Sequence, residues 1–173
     1  LNAPFDERLS LVSLILAGLN TRFAASRRKD AVADGCYAFL REVKKAFADL
    51  PADLPDGPAA LFAQMAADYD AETQKKREAG LLSKTELQVR LETFAVLRGW
   101  EAALRRAGTQ SADGAFGLLR AQFQTLADDR EAAQNTASAA LEAAFDFMEQ
   151  AFAESQEMVV FVTELTLSPA AHA

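Results

Sequence analysis

The chain has 173 residues, half of them hydrophobic and a quarter charged, which is the balance of one ordinary globular domain rather than of a disordered chain. Its net charge of −7 and pI near 4.8 argue against phosphate backbones and anionic membranes as partners, because an acidic surface repels both. A single cysteine, Cys36, permits no internal disulfide and suits a reducing, cytoplasmic compartment. At this length roughly 70% of the unfolded surface can be buried, so the core needs no metal or disulfide support.

The first apolar stretch, Leu9 to Leu19, is interrupted by Ser10, Ser13 and Gly18. It is too short to span a bilayer and has no basic region ahead of it. Asn2 or Asp6 is placed to cap a first helix, with Pro4 in its opening turn. Leu9, Val12, Leu16, Leu19 and Phe23 then recur at helical spacing, and Leu14 and Ile15 widen the face so that cover on two sides is expected. Ser26 is the expected cap of a second helix with the stripe Val32, Cys36, Phe39, Leu40, Val43 and Phe47. No Gly or Pro separates the two, so one continuous helix is the alternative. Arg27-Arg28-Lys29 at the junction is either an anion contact or a solvated charge cluster.

Pro51, Pro55, Gly57 and Pro58 mark a linker over residues 50–58, which no helix should cross. A third helix is expected from about Pro58 to Ala79, with Leu61, Phe62, Met65 and Tyr69 inward, a Glu72–Lys76 pair outside and Gly80 as its stop. Ser83 and Glu86 stand in capping-box spacing at the start of a fourth. Leu87, Leu91 and Phe94 form one stripe of that helix and Val89, Val96 and Trp100 another, which predicts a central position. Glu86 with Arg90 and Glu101 with Arg105 are expected pairs, and Gly108 ends the element.

A fifth helix is expected from Ser111 or Asp113, carrying Phe116, Leu119, Phe123 and Leu126. Between Ala127 and Ala140 large apolar residues give way to alanine, and Asp128 with Glu131 has capping spacing, so a break is expected there. One long helix from about Ser111 to Ala153 is the alternative. Leu141, Phe145, Met148 and Phe152 then form an inward stripe. Met158 to Leu167 is rich in β-branched residues, which suits a strand. Its pattern of Met158, Phe161, Val162 and Leu165 suits a helix, and no second strand-like run could pair with it. A short helix entered through Ser155 and ended by Pro169 is therefore expected, and the stretch from Glu131 to Leu167 is expected to be the spine on which the other helices lean. No repeat of solenoid period occurs. The expectation is an all-α chain, a single bundle of six or seven mostly antiparallel helices over residues 1–173.

Few residues point to catalysis. Catalysis by nucleophile and base needs a histidine near a Ser or Cys, and the one histidine, His172, lies next to the end of the sequence and beyond Pro169. Cys36 sits on an apolar stripe and is expected to be a small core residue. No Gly-rich phosphate loop precedes a helix. Glu142, Asp146 and Glu149 share one helical face, as do Gln64, Asp68 and Glu72. Metal-binding bundles combine such acids with histidines that point inward, so solvated faces are the expectation and no metal or cofactor is anticipated. Twelve phenylalanines are many for a small bundle. Phe147 and Phe161 are the candidates for contact with another chain or domain, against the ordinary reading of aromatics at helical spacing as core.

The segment Ser155-Gln156-Glu157-Met158-Val159-Val160-Phe161-Val162-Thr163-Glu164-Leu165-Thr166, with Leu141 to Phe152 before it, resembles the C-terminal helical part of certain bacterial ATPases of the AAA class. The resemblance includes none of that class's catalytic motifs, so no residue role is carried over. It implies a nucleotide-binding module ahead of Leu1, which makes this chain a fragment of a longer protein. On that expectation the chain is a non-catalytic accessory domain that contacts a protein partner. A free-standing helical adaptor is the second reading and a carboxylate-metal enzyme built on a bundle the third.

Overall fold

A computed structural model describes residues 5–51 and 56–152, and every regular element in them is an α-helix. There are four: α1 (Phe5–Ala48), α2 (Gly57–Glu78), α3 (Lys84–Ala107) and α4 (Ala112–Phe152). The all-α expectation holds for these residues, but the count of six or seven does not. Both expected breaks are absent. α1 runs through Ser26, which is buried rather than capping. α4 runs through Asp128, whose carboxylate accepts a hydrogen bond from Gln124 Nε2 at 2.9 Å, one turn back, and is thereby engaged within the helix. Neither junction contains Gly or Pro, and alanine-rich sequence has the highest helix propensity, so the favourable course is continuation. Asn2, Pro4 and the segment Met158 to Leu167 lie outside the described residues.

The remaining boundaries follow local chemistry. After α1 the chain tightens, with Asp49 N–H donating to the Ala46 carbonyl at 3.3 Å and Leu50 N–H to that of Phe47 at 3.2 Å, and Pro51 follows. α2 starts from Asp56 in the left-handed region, φ 57°, with no side-chain cap. The Asp56 carbonyl accepts from Ala60 N–H at 2.8 Å, and Pro58 occupies the first turn, where a missing donor costs nothing. α2 closes on Gly80 at φ 69°, with Leu81 N–H reaching Lys76 O and Gly80 N–H reaching Arg77 O, both at 3.0 Å. This is a Schellman closure, and it requires the positive φ that glycine adopts without penalty. Ser83 Oγ accepts from Glu86 N–H at 3.1 Å to start α3, and Gly108 at φ 61° ends it. Ser111 Oγ accepts from Gly114 N–H at 3.1 Å at the start of α4.

The chain divides into two compact units, one holding residues 5–27 and 131–152 of those described, the other Arg28–Arg130. The second unit is a four-helix bundle. Val32, Cys36, Phe39, Leu40, Val43 and Phe47 of α1 meet Ala59, Phe62 and Ala66 of α2, Leu97, Trp100 and Leu104 of α3, and Ala115 and Leu119 of α4. Phe39 packs edge-on against Phe62, centroids 5.4 Å apart, and against Tyr69 at 6.1 Å, geometries that suit the ring quadrupole. α2 and α3 are joined by a short turn and lie antiparallel.

Within this bundle the α1 stripe is buried as expected, whereas α3 turns differently. Its innermost residues are Thr93, Leu97, Trp100 and Leu104, while Leu91 is exposed and Leu87, Val89, Phe94 and Val96 are only half-buried. In the first unit Val12 and Leu19 of α1 and Ala137 and Met148 of α4 are buried. Leu14 is 71% exposed, so the N-terminal part of α1 is not covered on two sides, and Phe145, expected inward, is exposed as well.

Candidate functional site

Among the described residues, two grooves of opposite charge open on the four-helix unit. The first, of about 660 Å³, runs between α1 and α4. α1 contributes Tyr37, Arg41 and Lys44 at spacings of four and three, one face of a helix, with Lys45 beside them. α4 contributes Phe116, Arg120 and Phe123 at four and three. The rings of Tyr37 and Phe123 lie 5.8 Å apart at 48°, and Tyr37 remains 56% exposed. Lys45 pairs with Glu42 at 3.2 Å, but Arg41, Lys44 and Arg120 form no ion pair among the described residues. Among the described residues no acid lines the groove. Four cations around three aromatic rings, in a chain with a net charge of −7, is a local reversal of the whole-chain sign.

The second groove, of about 460 Å³, lies between α1 and α2, and among the described residues it is lined by Glu42, Asp68 and Glu72 with a single cation, Arg90 of α3. Arg90 is well anchored. Its Nε donates to Thr73 Oγ1 at 2.8 Å, and its guanidinium carbon stands 4.3 Å from the centre of the Tyr69 ring, a cation–π contact. Its Nη2 lies 3.8 Å from Glu72 Oε2, an ion-pair distance too long for a hydrogen bond, and has no hydrogen-bond partner among the described residues. Glu72 also binds Lys76 at 2.9 Å, and that hydrogen bond and charge hold its carboxyl below the usual range. Burial pushes the Tyr69 hydroxyl up, against the opposing pull of Arg90. The expected Glu86–Arg90 pair does not form, because Arg90 turns inward to Thr73 and Tyr69.

The other sequence candidates fall as follows. Cys36 is fully buried, and burial pushes its thiol up to about 12, so at neutral pH it carries no thiolate. Glu142, Asp146 and Glu149 are all exposed, and Gln64 Nε2 donates to Asp68 at 2.9 Å on the exposed side of α2. Among the described residues no three of His, Cys, Asp and Glu gather closely enough to hold a metal ion. Arg28 of the basic triplet pairs with Glu92 at 3.5 Å, while Arg27 and Lys29 are exposed. Phe147 is 46% exposed on α4, beside exposed Phe145, whereas Phe161 and His172 lie outside the described residues. No described helix is long and apolar enough to cross a membrane.

The basic groove is not among the sequence candidates. Each half of it has a legible signal, a basic and aromatic face at three-and-four spacing, but the two halves stand some 80 positions apart in the chain. Only the antiparallel pairing of α1 with α4 in the four-helix unit brings them together. Comparison of the chain with protein-family models, with characterised proteins and with solved structures found no match to any of them.

Proposed function

We propose that this chain is a non-catalytic helical accessory domain that serves protein–protein contact within a larger bacterial cytoplasmic ATPase. The observation that carries the contact reading is the exposure of large apolar side chains in the first unit, Leu11 and Leu14 on α1 and Phe145 and Phe147 on α4. Scattered single leucines are ordinary on a surface, but two phenylalanines within three residues of one helix are a costly display that a partner removes from water. The ATPase assignment rests on the resemblance of the C-terminal segment. A free-standing helical adaptor is the second reading, supported by the same exposed residues without need of a preceding module.

The open reading frame ahead of the Leu1 codon separates the two. A phosphate-binding loop encoded there is the expected result, and a start codon immediately before Leu1 would overturn the ATPase reading in favour of the adaptor. For the contact itself, Phe147→Asp is expected to abolish association with the preceding module or a co-encoded protein, measured by sedimentation, while the helical circular dichroism stays intact. Loss of both together would mean that Phe147 supports the fold instead.

A further inference from the structure

The groove between α1 and α4 in the four-helix unit sets cations without an acidic partner among the described residues, and the largely exposed ring of Tyr37, beside Phe116 and Phe123, which also pack against the core. Arg41, Lys44 and Arg120 have no ion-pair partner among the described residues. Fold stability alone would favour acids beside them, since the chain has 25 acidic residues to 18 basic ones and uses them in pairs elsewhere, as at Lys76–Glu72 and Arg105–Glu101. Tyr37 and Phe123 present a tilted ring pair at the groove wall with most of Tyr37 open to solvent. The groove thus offers apolar surface for one or two side chains and a surrounding set of donors for carboxylates, with Arg41 and Arg120 able to take them in fork geometry.

We infer that this groove binds an acidic peptide segment of a protein partner, with an aromatic or large aliphatic side chain of that segment seated against Tyr37 and Phe123. The inference rests on the protein-contact reading only in that its occupant is a polypeptide, and it places the contact on a different unit from Phe147. Charge decides the class of occupant. An extended nucleic acid would carry its phosphates past the groove and over the acidic remainder of the surface, where they are repelled. A short acidic segment confines its charge to the four cations. Long-range attraction to the patch speeds encounter, and the ring contact confers specificity on the bound state.

The test is titration of the isotope-labelled 173-residue chain with three probes, followed by nuclear magnetic resonance. These are a short Asp/Glu peptide with a central Phe, the same peptide with Ser in place of Phe, and a single-stranded oligothymidine. The Phe peptide is expected to shift resonances of Tyr37, Arg41, Arg120 and Phe123, and to bind at least about tenfold more weakly when salt rises from about 50 to about 300 mM. The double variant Arg41→Glu/Arg120→Glu, with unchanged circular dichroism, is expected to lose binding by about tenfold or more. Three results would each overturn the inference: no shift in the groove with the Phe peptide, equal binding by the Ser peptide, or tighter binding of the oligothymidine at the same residues. The resonance map on the unsubstituted chain decides the matter even if the double variant does not fold. Phe147→Asp is expected to leave peptide binding unchanged, so failure of the groove and failure of the contact at Phe147 are read separately.

Discussion

Thr73 joins two helices through one hydroxyl. Its Oγ1 donates to the Tyr69 carbonyl within α2 at 2.9 Å and accepts from Arg90 Nε of α3 at 2.8 Å, and the residue is 1% exposed. Thr73→Val keeps the shape and removes the acceptor, leaving the Arg90 Nε without its hydrogen bond beside an Nη2 that already lacks one. The expected cost is about 1–3 kcal/mol by urea denaturation, and Thr73→Val/Arg90→Met should recover a large part of it, because removing both partners is far cheaper than removing one. Cys36 gives a pH signature at the same scale. Its folded pKa is raised from 9.0 to about 12 by burial, so the fold favours the neutral thiol. Below the unfolded value the thiol is protonated in both states and contributes no pH dependence. As pH rises from there toward the folded value, only the unfolded chain releases the proton, and stability falls. Comparing unfolding at about pH 8 and about pH 10.5 should therefore show a larger loss for the unsubstituted chain than for Cys36→Ala. An equal loss would mean that Cys36 is solvated in the fold.

At the scale of the element, two glycines inside helices make opposite predictions. Gly35 in α1 lies against α3. A Cβ there would stand 3.2 Å from Thr93 Oγ1 and 3.4 Å from its Cγ2. Thr93 is fully buried and its hydroxyl is tied to the Val89 carbonyl at 2.8 Å, so it has little room to move. Gly99 in α3 has open space around its would-be Cβ. Gly99→Ala is expected to gain about 0.5–1 kcal/mol from helix propensity, and Gly35→Ala to show no such gain or a net loss, measured as shifts in the denaturation midpoint. What the sequence reveals at this scale depends on the range of the chemistry. The stops at Gly80 and Gly108 and the cap at Ser83 are legible because each depends on neighbours a few residues away. The continuity of α1 and α4 is less so, since Ser26 and Asp128 have capping chemistry that goes unused once burial or a bond to the preceding turn engages them. Thr93 and Leu97 are missed as core because two competing stripes on α3 can be settled only by what packs against them. The basic groove requires the pairing of distant helices, which periodicity on either helix does not contain.

At the scale of the whole chain, the unit Arg28–Arg130 holds what an independent fold requires. Its core draws large side chains from all four helices, and Phe62, Leu97, Leu104, Leu119 and Val43 are each under 2% exposed. Burying side chains of that size contributes about 1.5–3 kcal/mol each, and about 100 residues suffice to enclose a core without a metal or disulfide. Its helices are also tied to one another by its own polar contacts, Arg28 to Glu92, Arg90 to Thr73, and Arg130 to Asp30 at 3.6 Å and to Asp34 at 3.8 Å. The surface ion pairs add little, so the apolar core and the helix caps must carry the stability. A polypeptide of residues 28–130 is therefore expected to be helical and to unfold in one cooperative transition, with coincident circular dichroism and Trp100 fluorescence. Trp100 is 4% exposed in this core, so its emission reports the packing directly. The fragment should also retain the acidic-peptide binding assigned to the groove, since Tyr37, Arg41, Arg120 and Phe123 all lie within it. A broad transition with helical signal but solvent-exposed tryptophan emission would show that the four-helix core needs the rest of the chain to order it.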